Sequence, residues 1–242
     1  MAIQTVFKRY EIKYVITEEQ CEKLKTLFSE YMTGDAYGNS TIRNIYFDTP
    51  SYLLIRNSVE KPVYKEKLRL RSYGETTADT TVFLEVKKKF KGVVYKRRLK
   101  LKEKEALDYI LDGVKLPDSQ IFREIDYFVS YYKELIPRVV ISYEREAFYS
   151  KTDSTFRITF DKNVLYRQND LSLESGVYGK CILPKGKVLM EVKTAYAIPL
   201  WLTSFLSENK IYKTSYSKYG TAYADILSEN KKEINNYVGQ NI

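Results

Sequence analysis

The sequence predicts an antiparallel β-barrel in a fold of α+β class, with helices packed against it. Apolar and charged residues alternate with period two through about eight segments, the spacing at which side chains of one strand share a face. The 23 tyrosines and 11 phenylalanines favour strands as well. No Pro/Gly/Ser-rich linker divides the 242 residues, 44% of them hydrophobic, so a single domain over 1–242 is expected.

The elements follow in order. Residues 7–16 alternate, with Tyr10, Ile12, Tyr14 and Ile16 on one face and Arg9, Glu11 and Lys13 on the other. Thr17-Glu-Glu-Gln20 has the residue types of a capping box, and Leu24, Leu27 and Phe28 follow at helical spacing before Gly34 and Gly38 end the segment. A strand is predicted over 42–48, then a short helix opened by Pro50. A three-strand meander comes next, at 63–73, 80–90 and 93–102, joined by a turn at 74–79 and a tight hairpin at Lys91-Gly92. Helices near 103–111 and 119–135 precede strands at 138–149 and 155–166. After a loop holding Gly176 and Gly179, residues 187–194 read as the last strand. Pro199 opens a helix through Leu206, and 217–227 make a final one.

Charge and composition narrow the chemistry. Lys and Arg total 40 against 31 Asp and Glu, a net charge of +9, which favours nucleic acid, an anionic membrane surface or phosphates as partners. Histidine is absent, which excludes Ser-His-Asp and Cys-His catalysis, imidazole acid–base chemistry and His-ligated zinc. Cys21 and Cys181 have neither metal nor disulfide-framework spacing, pointing to a reduced, cytoplasmic setting. The N-terminus lacks a signal-peptide pattern, and no apolar run approaches the ~18–20 residues that span a bilayer.

The charged faces carry the functional signal. Lys65, Lys67, Arg69, Arg71 and Tyr73 share a face opposite Leu68 and Leu70. Glu85, Lys87 and Lys89 oppose Val82, Leu84 and Val86, while Lys96, Arg98, Lys100 and Lys102 oppose Tyr95, Leu99 and Leu101. Tyr143 with Arg145, Arg157 with Thr159 and Asp161, and Glu191 with Lys193 share faces in the same way. Two arrangements fit. In a half-buried open sheet the charged face is simply solvated. In a sheet closed on itself, with helices outside, it lines a tunnel. The skew to Arg and Lys favours the tunnel, because a merely soluble surface mixes signs and paired arginines suit bidentate phosphate contacts. Like charges facing each other there repel, and a bound polyanion relieves them, leaving the few interior carboxylates to hold a divalent metal.

Eight motifs then occur in a particular order: Phe7-Lys-Arg-Tyr-Glu-Ile-Lys-Tyr14, Ile45-Tyr-Phe-Asp-Thr49, Lys67-Leu-Arg-Leu-Arg-Ser-Tyr73, Phe83-Leu-Glu-Val-Lys87, Tyr143-Glu-Arg-Glu-Ala-Phe148, Arg157-Ile-Thr-Phe-Asp161, Leu189-Met-Glu-Val-Lys193 and Ser217-Lys-Tyr219. Together they resemble the VTC domain, the catalytic domain of the vacuolar transporter chaperone polyphosphate polymerases, in the triphosphate tunnel metalloenzyme superfamily. The resemblance covers about 7–227, leaving 228–242 as a tail. It implies an eight-stranded antiparallel β-tunnel with helices outside and a C-terminal helix that closes it. The implied activity is transfer of the γ-phosphoryl group of ATP to a growing polyphosphate chain, with a divalent metal, manganese before magnesium.

Residue by residue, the resemblance puts phosphate-binding and catalytic roles on Lys13, Arg69, Arg71, Lys87, Arg145, Arg157 and Lys218. Arg9, Lys96, Arg98, Lys193 and Ser217 join the phosphate-binding set, and Glu191 matches the metal-binding glutamate. The family polymerase has a further lysine where Ser215 stands here, with Lys213 as the nearest substitute. Fungal relatives add an inositol-phosphate-sensing domain and membrane helices that these residues do not match, so their regulation and coupling to translocation do not carry over; a membrane partner protein is compatible with the resemblance. ATP and polyphosphate or pyrophosphate are the expected ligands. Tyr73, Tyr95 and the other aromatics are expected to be packing or wall residues, and nucleic acid is not an expected partner. Two rival functions share the basic face: a tunnel-fold triphosphate or polyphosphate hydrolase, and a non-enzymatic polyphosphate-binding module.

Overall fold

The computed structural model describes residues 10–91 and 93–240, with side chains through Lys232. β1 (Tyr10–Thr17) leads into α1 (Glu18–Thr26) and α2 (Phe28–Tyr31), and β2 (Met32–Gly34) and β3 (Ser40–Asp48) precede α3 (Leu53–Val59). The meander is β4 (Tyr64–Tyr73), β5 (Thr81–Phe90) and β6 (Val93–Lys102), followed by α4 (Glu103–Asp112) and α5 (Gln120–Tyr132). The chain continues through β7 (Ile136–Ser150), β8 (Arg157–Arg167), β9 (Lys180–Cys181) and β10 (Lys187–Thr194). It ends with α6 (Leu200–Glu208), β11 (Lys213–Thr214) and α7 (Lys218–Gln240).

Local chemistry sets most of these boundaries. The capping box forms as predicted: Thr17 Oγ1 accepts from the Gln20 N–H at 3.0 Å, and the Gln20 side chain accepts from the Thr17 N–H at 2.9 Å. The helix at Pro50 starts later than predicted, at Leu53. The carboxylate of Asp48 takes the N–H groups of Leu54 and Ile55 at 2.8 and 2.9 Å, which fixes the cap beyond the proline. The helix predicted to reach residue 135 stops at Tyr132, because Lys133 adopts a φ of 59° that cannot continue a helix. The last helix, predicted to end at Leu227, runs on to Gln240.

All strand pairs are antiparallel, in the order β11-β1-β10-β8-β7-β3-β4-β5-β6, with β2 on β7 and β9 on β8. Among the described residues, eight strands have eight or more residues, the number predicted, and three are short. The sheet is nevertheless open rather than a closed barrel. Among the described residues no backbone ladder joins its end strands, β6 and β11. Twist accumulated along the sheet curls it instead until side chains of β1 and β5 meet across the concave face.

The apolar faces lie outward under helices. Leu68, Leu70, Val82, Leu84 and Val86 are buried beneath Ala106 and Tyr109 of α4 and Ile125 and Phe128 of α5. Tyr14, Ile16, Ile158, Phe160 and Met190 are buried beneath Leu24 and Phe28 of α1 and α2 and Leu202 and Phe205 of α6. Each buried Val, Leu, Ile, Phe or Met among them contributes roughly 1.5–3 kcal/mol, which leaves the charged face of each strand turned inward. Helices do not all pack outside, however. Ile55 of α3 and Tyr219, Ala222, Tyr223 and Ile226 of α7 join Tyr46, Ile141 and Tyr143 in a third core on the concave side. Tyr219 also donates to Asp48 at 3.0 Å, tying the start of α7 to the cap of α3.

Candidate active site

One wall of the concave face is built on β4, β5 and β6. Antiparallel register sets Arg69 opposite Glu85, and Glu85 opposite Arg98. Glu85 is fully buried; Arg69 Nε donates to it at 2.8 Å, Lys96 pairs with its other oxygen, and Arg98 lies 3.8 Å away. Burial alone would raise the Glu85 carboxyl, but Arg69, Arg71 and Lys96 hold it well below the usual range. Burial and the nearby Arg69 push Lys96 down to about 8, against the pull of Glu85. Arg71 donates to Asn44 Oδ1 and to the Tyr143 hydroxyl, both at 2.9 Å.

The facing wall comes from β7, β8, β10 and β1. Arg145 forms a bidentate pair with Asp161, at 2.6 and 2.7 Å, and Lys218 from the start of α7 shares the same carboxylate. Burial opposes ionisation of Asp161, yet Arg145 and Lys218 bring it to about 2. Glu191 lies 3.1 Å from Lys193, 3.9 Å from Lys13 and 3.9 Å from Arg145. Together with Lys87 these cations overcome burial and hold Glu191 well below the usual carboxylate range. Lys13 donates to the Tyr216 carbonyl at 2.9 Å; burial, with Lys218 and Lys87 nearby, pushes it down to about 8. Arg157 sits toward one end, 3.3 Å from Asp35 and 4.5 Å from the centre of the Tyr149 ring.

The predicted set therefore converges on one groove, with Arg9 outside the described residues. Ser217 takes part as an acceptor, for Lys67 at 3.1 Å and the Gly220 N–H at 3.2 Å. Lys213 does not replace the family lysine. Register pairs it with Tyr14, which belongs to the outer core, so Lys213 faces away from the groove.

Several groove residues were not singled out from the sequence. Lys67 is the clearest: burial and the neighbouring Lys13 and Lys87 push it down to about 7. Its signal was its place two residues before Arg69 on the same face. Tyr143 lies between Arg71, the Arg145 guanidinium 5.1 Å from its ring centre and the Lys218 ammonium at 4.3 Å. Burial would raise its hydroxyl, but these cations bring it to about 7. Asp161 and Glu85 face inward as their strand positions predict, and each anchors two or three cations.

A divalent ion fits part of this donor set. Among the described residues, no three acidic or cysteine side chains form a ready-made cage. Glu11 and Glu191 lie close enough to influence each other's ionisation. Beside Glu191, Thr159 Oγ1, in register with it, is buried without a hydrogen-bond partner. Two carboxylates with phosphate oxygens and water completing the shell is a composition that hard divalent cations accept.

The family model for the VTC domain matches residues 8–227. The chain belongs to the VTC domain family. The chain shares its fold with a putative adenylyl cyclase from Hippeastrum described as having a dominant triphosphatase activity. Identity is 15% and the TM-score 0.55, over 90% of this chain and 95% of that one. A putative adenylate cyclase from Bacillus halodurans is similar at 13% identity and a TM-score of 0.52, over 87% and 95% of the two chains. No curated protein sequence matches this chain significantly. The VTC family match and the shared fold agree with the triphosphate tunnel superfamily. Among the described residues of this chain, no helix is long and apolar enough to cross a membrane.

Proposed function

We propose that this VTC domain is a polyphosphate polymerase that transfers the γ-phosphoryl group of ATP to a growing polyphosphate chain. The observation that carries the reading is the charge of the groove. Among the described residues, Lys13, Lys67, Arg69, Arg71, Lys87, Lys96, Arg98, Arg145, Arg157, Lys193 and Lys218 face five carboxylates, those of Glu11, Asp35, Glu85, Asp161 and Glu191. So large an excess of cations in a partly desolvated groove suits a long polyanion far better than a small neutral substrate.

Phosphoryl transfer asks the protein for alignment and charge neutralisation rather than covalent help. A terminal phosphate oxygen of the chain attacks the γ-phosphorus of ATP, the bond to the β–γ bridging oxygen breaks, and ADP leaves. That oxygen is already anionic, so the absence of histidine costs nothing. Arg69, Arg71, Arg145, Lys87 and Lys13 would align donor and acceptor, and Lys218 would close over them from α7. A divalent ion, manganese or magnesium, would be held by Glu191 with Glu11 and would neutralise phosphate charge.

A hydrolase reading is favoured by the triphosphatase activity ascribed to the Hippeastrum protein. Against it, Arg9-Tyr10-Glu11-Ile12-Lys13 carries a single glutamate, where tunnel hydrolases would carry a more acidic cluster. Incubation with ATP and manganese, followed by gel separation and polyphosphate staining, decides the matter. Long chains support the polymerase, whereas orthophosphate alone would replace it with the hydrolase.

A further inference from the structure

Tyr73 ends the inward-facing row of β4, two residues and about 6.6 Å beyond Arg71. It is 43% exposed and belongs to none of the three cores, so burial of its ring does not account for it. Phe83 stands beside it, opposite Arg71 in the ladder, with ring centroids 5.9 Å apart at 81°. The Arg98 guanidinium lies over Phe83, 4.3 Å from its ring centre. An accessible aromatic ring, braced by a second ring and an arginine at the end of a row of phosphate-binding cations, is the combination on which nucleobases stack.

We propose that Tyr73, braced by Phe83 and Arg98, is the stacking platform for the base of the nucleoside triphosphate donor. The inference rests on the reading of ATP as donor and adds a polarity to it. With the base on Tyr73, the triphosphate runs inward along Arg71 and Arg69, and the γ-phosphate points toward Lys67 and Lys87. The acceptor chain must then approach from the Lys65–Lys89 end of the groove. Stacking reads the face of a base rather than its edge, so ATP and GTP bind alike.

Calorimetric titration of wild type, Tyr73→Ala and Tyr73→Phe with ATP and with inorganic triphosphate tests this. Tyr73→Ala is expected to weaken ATP binding about tenfold while leaving triphosphate affinity unchanged, and Tyr73→Phe is expected to restore ATP binding. Equal weakening of both ligands, or no weakening of ATP, would overturn the platform while leaving the donor reading intact. A wild-type protein that binds triphosphate but not ATP, or neither, would remove the donor reading and the platform with it.

Discussion

Lys87 Nζ lies 2.6 Å from Glu11 Oε2, although five strands separate β5 from β1 within the sheet. The two walls of the groove are thus joined through side chains where no backbone ladder closes them. Burial favours the neutral form of Glu11, but Lys87 prevails and keeps it ionised.

Lys87→Met is expected to lower triphosphate affinity at least tenfold. The pair is partly exposed, so loss of the contact should change stability by about 1 kcal/mol or less. Titration calorimetry and thermal melting measure the two quantities side by side. Unchanged affinity would show that Lys87 serves only as a strut.

Lys67 should separate binding from stability more sharply. Burial, together with the crowding of Lys13, Lys87, Lys65 and Arg69, disfavours its ammonium, so its charge strains the ligand-free protein. Lys67→Met is therefore expected to raise ligand-free stability, on the order of 1 kcal/mol after allowance for solvent screening, while weakening triphosphate binding. Denaturant melts with and without triphosphate should shift in opposite directions.

The same lysine sets a pH dependence. Lys67 is pushed down to about 7 in the folded protein, against 10.5 for an unperturbed lysine. Between these values the unfolded chain binds more protons than the folded one, so Lys67 makes ligand-free stability rise as pH climbs from 7 toward 10.5. A bound polyanion pulls the lysine back toward its ordinary value. Triphosphate binding at pH 8 should therefore take up protons, visible as a binding enthalpy that varies with the ionisation enthalpy of the buffer. The variation should shrink in Lys67→Met.

Asp161 behaves oppositely. It is fully buried and shared by Arg145 and Lys218, so Asp161→Asn strands two cations and is expected to cost about 3–5 kcal/mol. Added triphosphate should raise the melting temperature of Asp161→Asn by more than it raises that of the wild type, because the ligand replaces the missing anion. An equal rise in both proteins would mean that phosphate does not reach these two cations.

Much of the site was legible in the sequence because the direction of a strand side chain is a local property. Arg69 and Arg71 could be put on one face of β4, and Glu191 with Lys193 on one face of β10, without knowing what those faces met. The capping box at Thr17 was equally local. Positions where a distant group intervened were not legible. Asp48 moved the start of α3 past Pro50, and register with β1 turned Lys213 outward.

The sequence by itself determined the strand faces, the excess of cations on them, and a chemistry without histidine. Only the tertiary structure decided that the charged face is concave, that the sheet curls without closing, and that α3 and α7 fill part of its interior. Curvature sums small twists over many strands and the packing of helices far apart in the chain, so no single segment encodes it. The same non-local sum brings Lys87 to Glu11 and crowds Lys67, turning a row of charged residues into a groove under electrostatic strain.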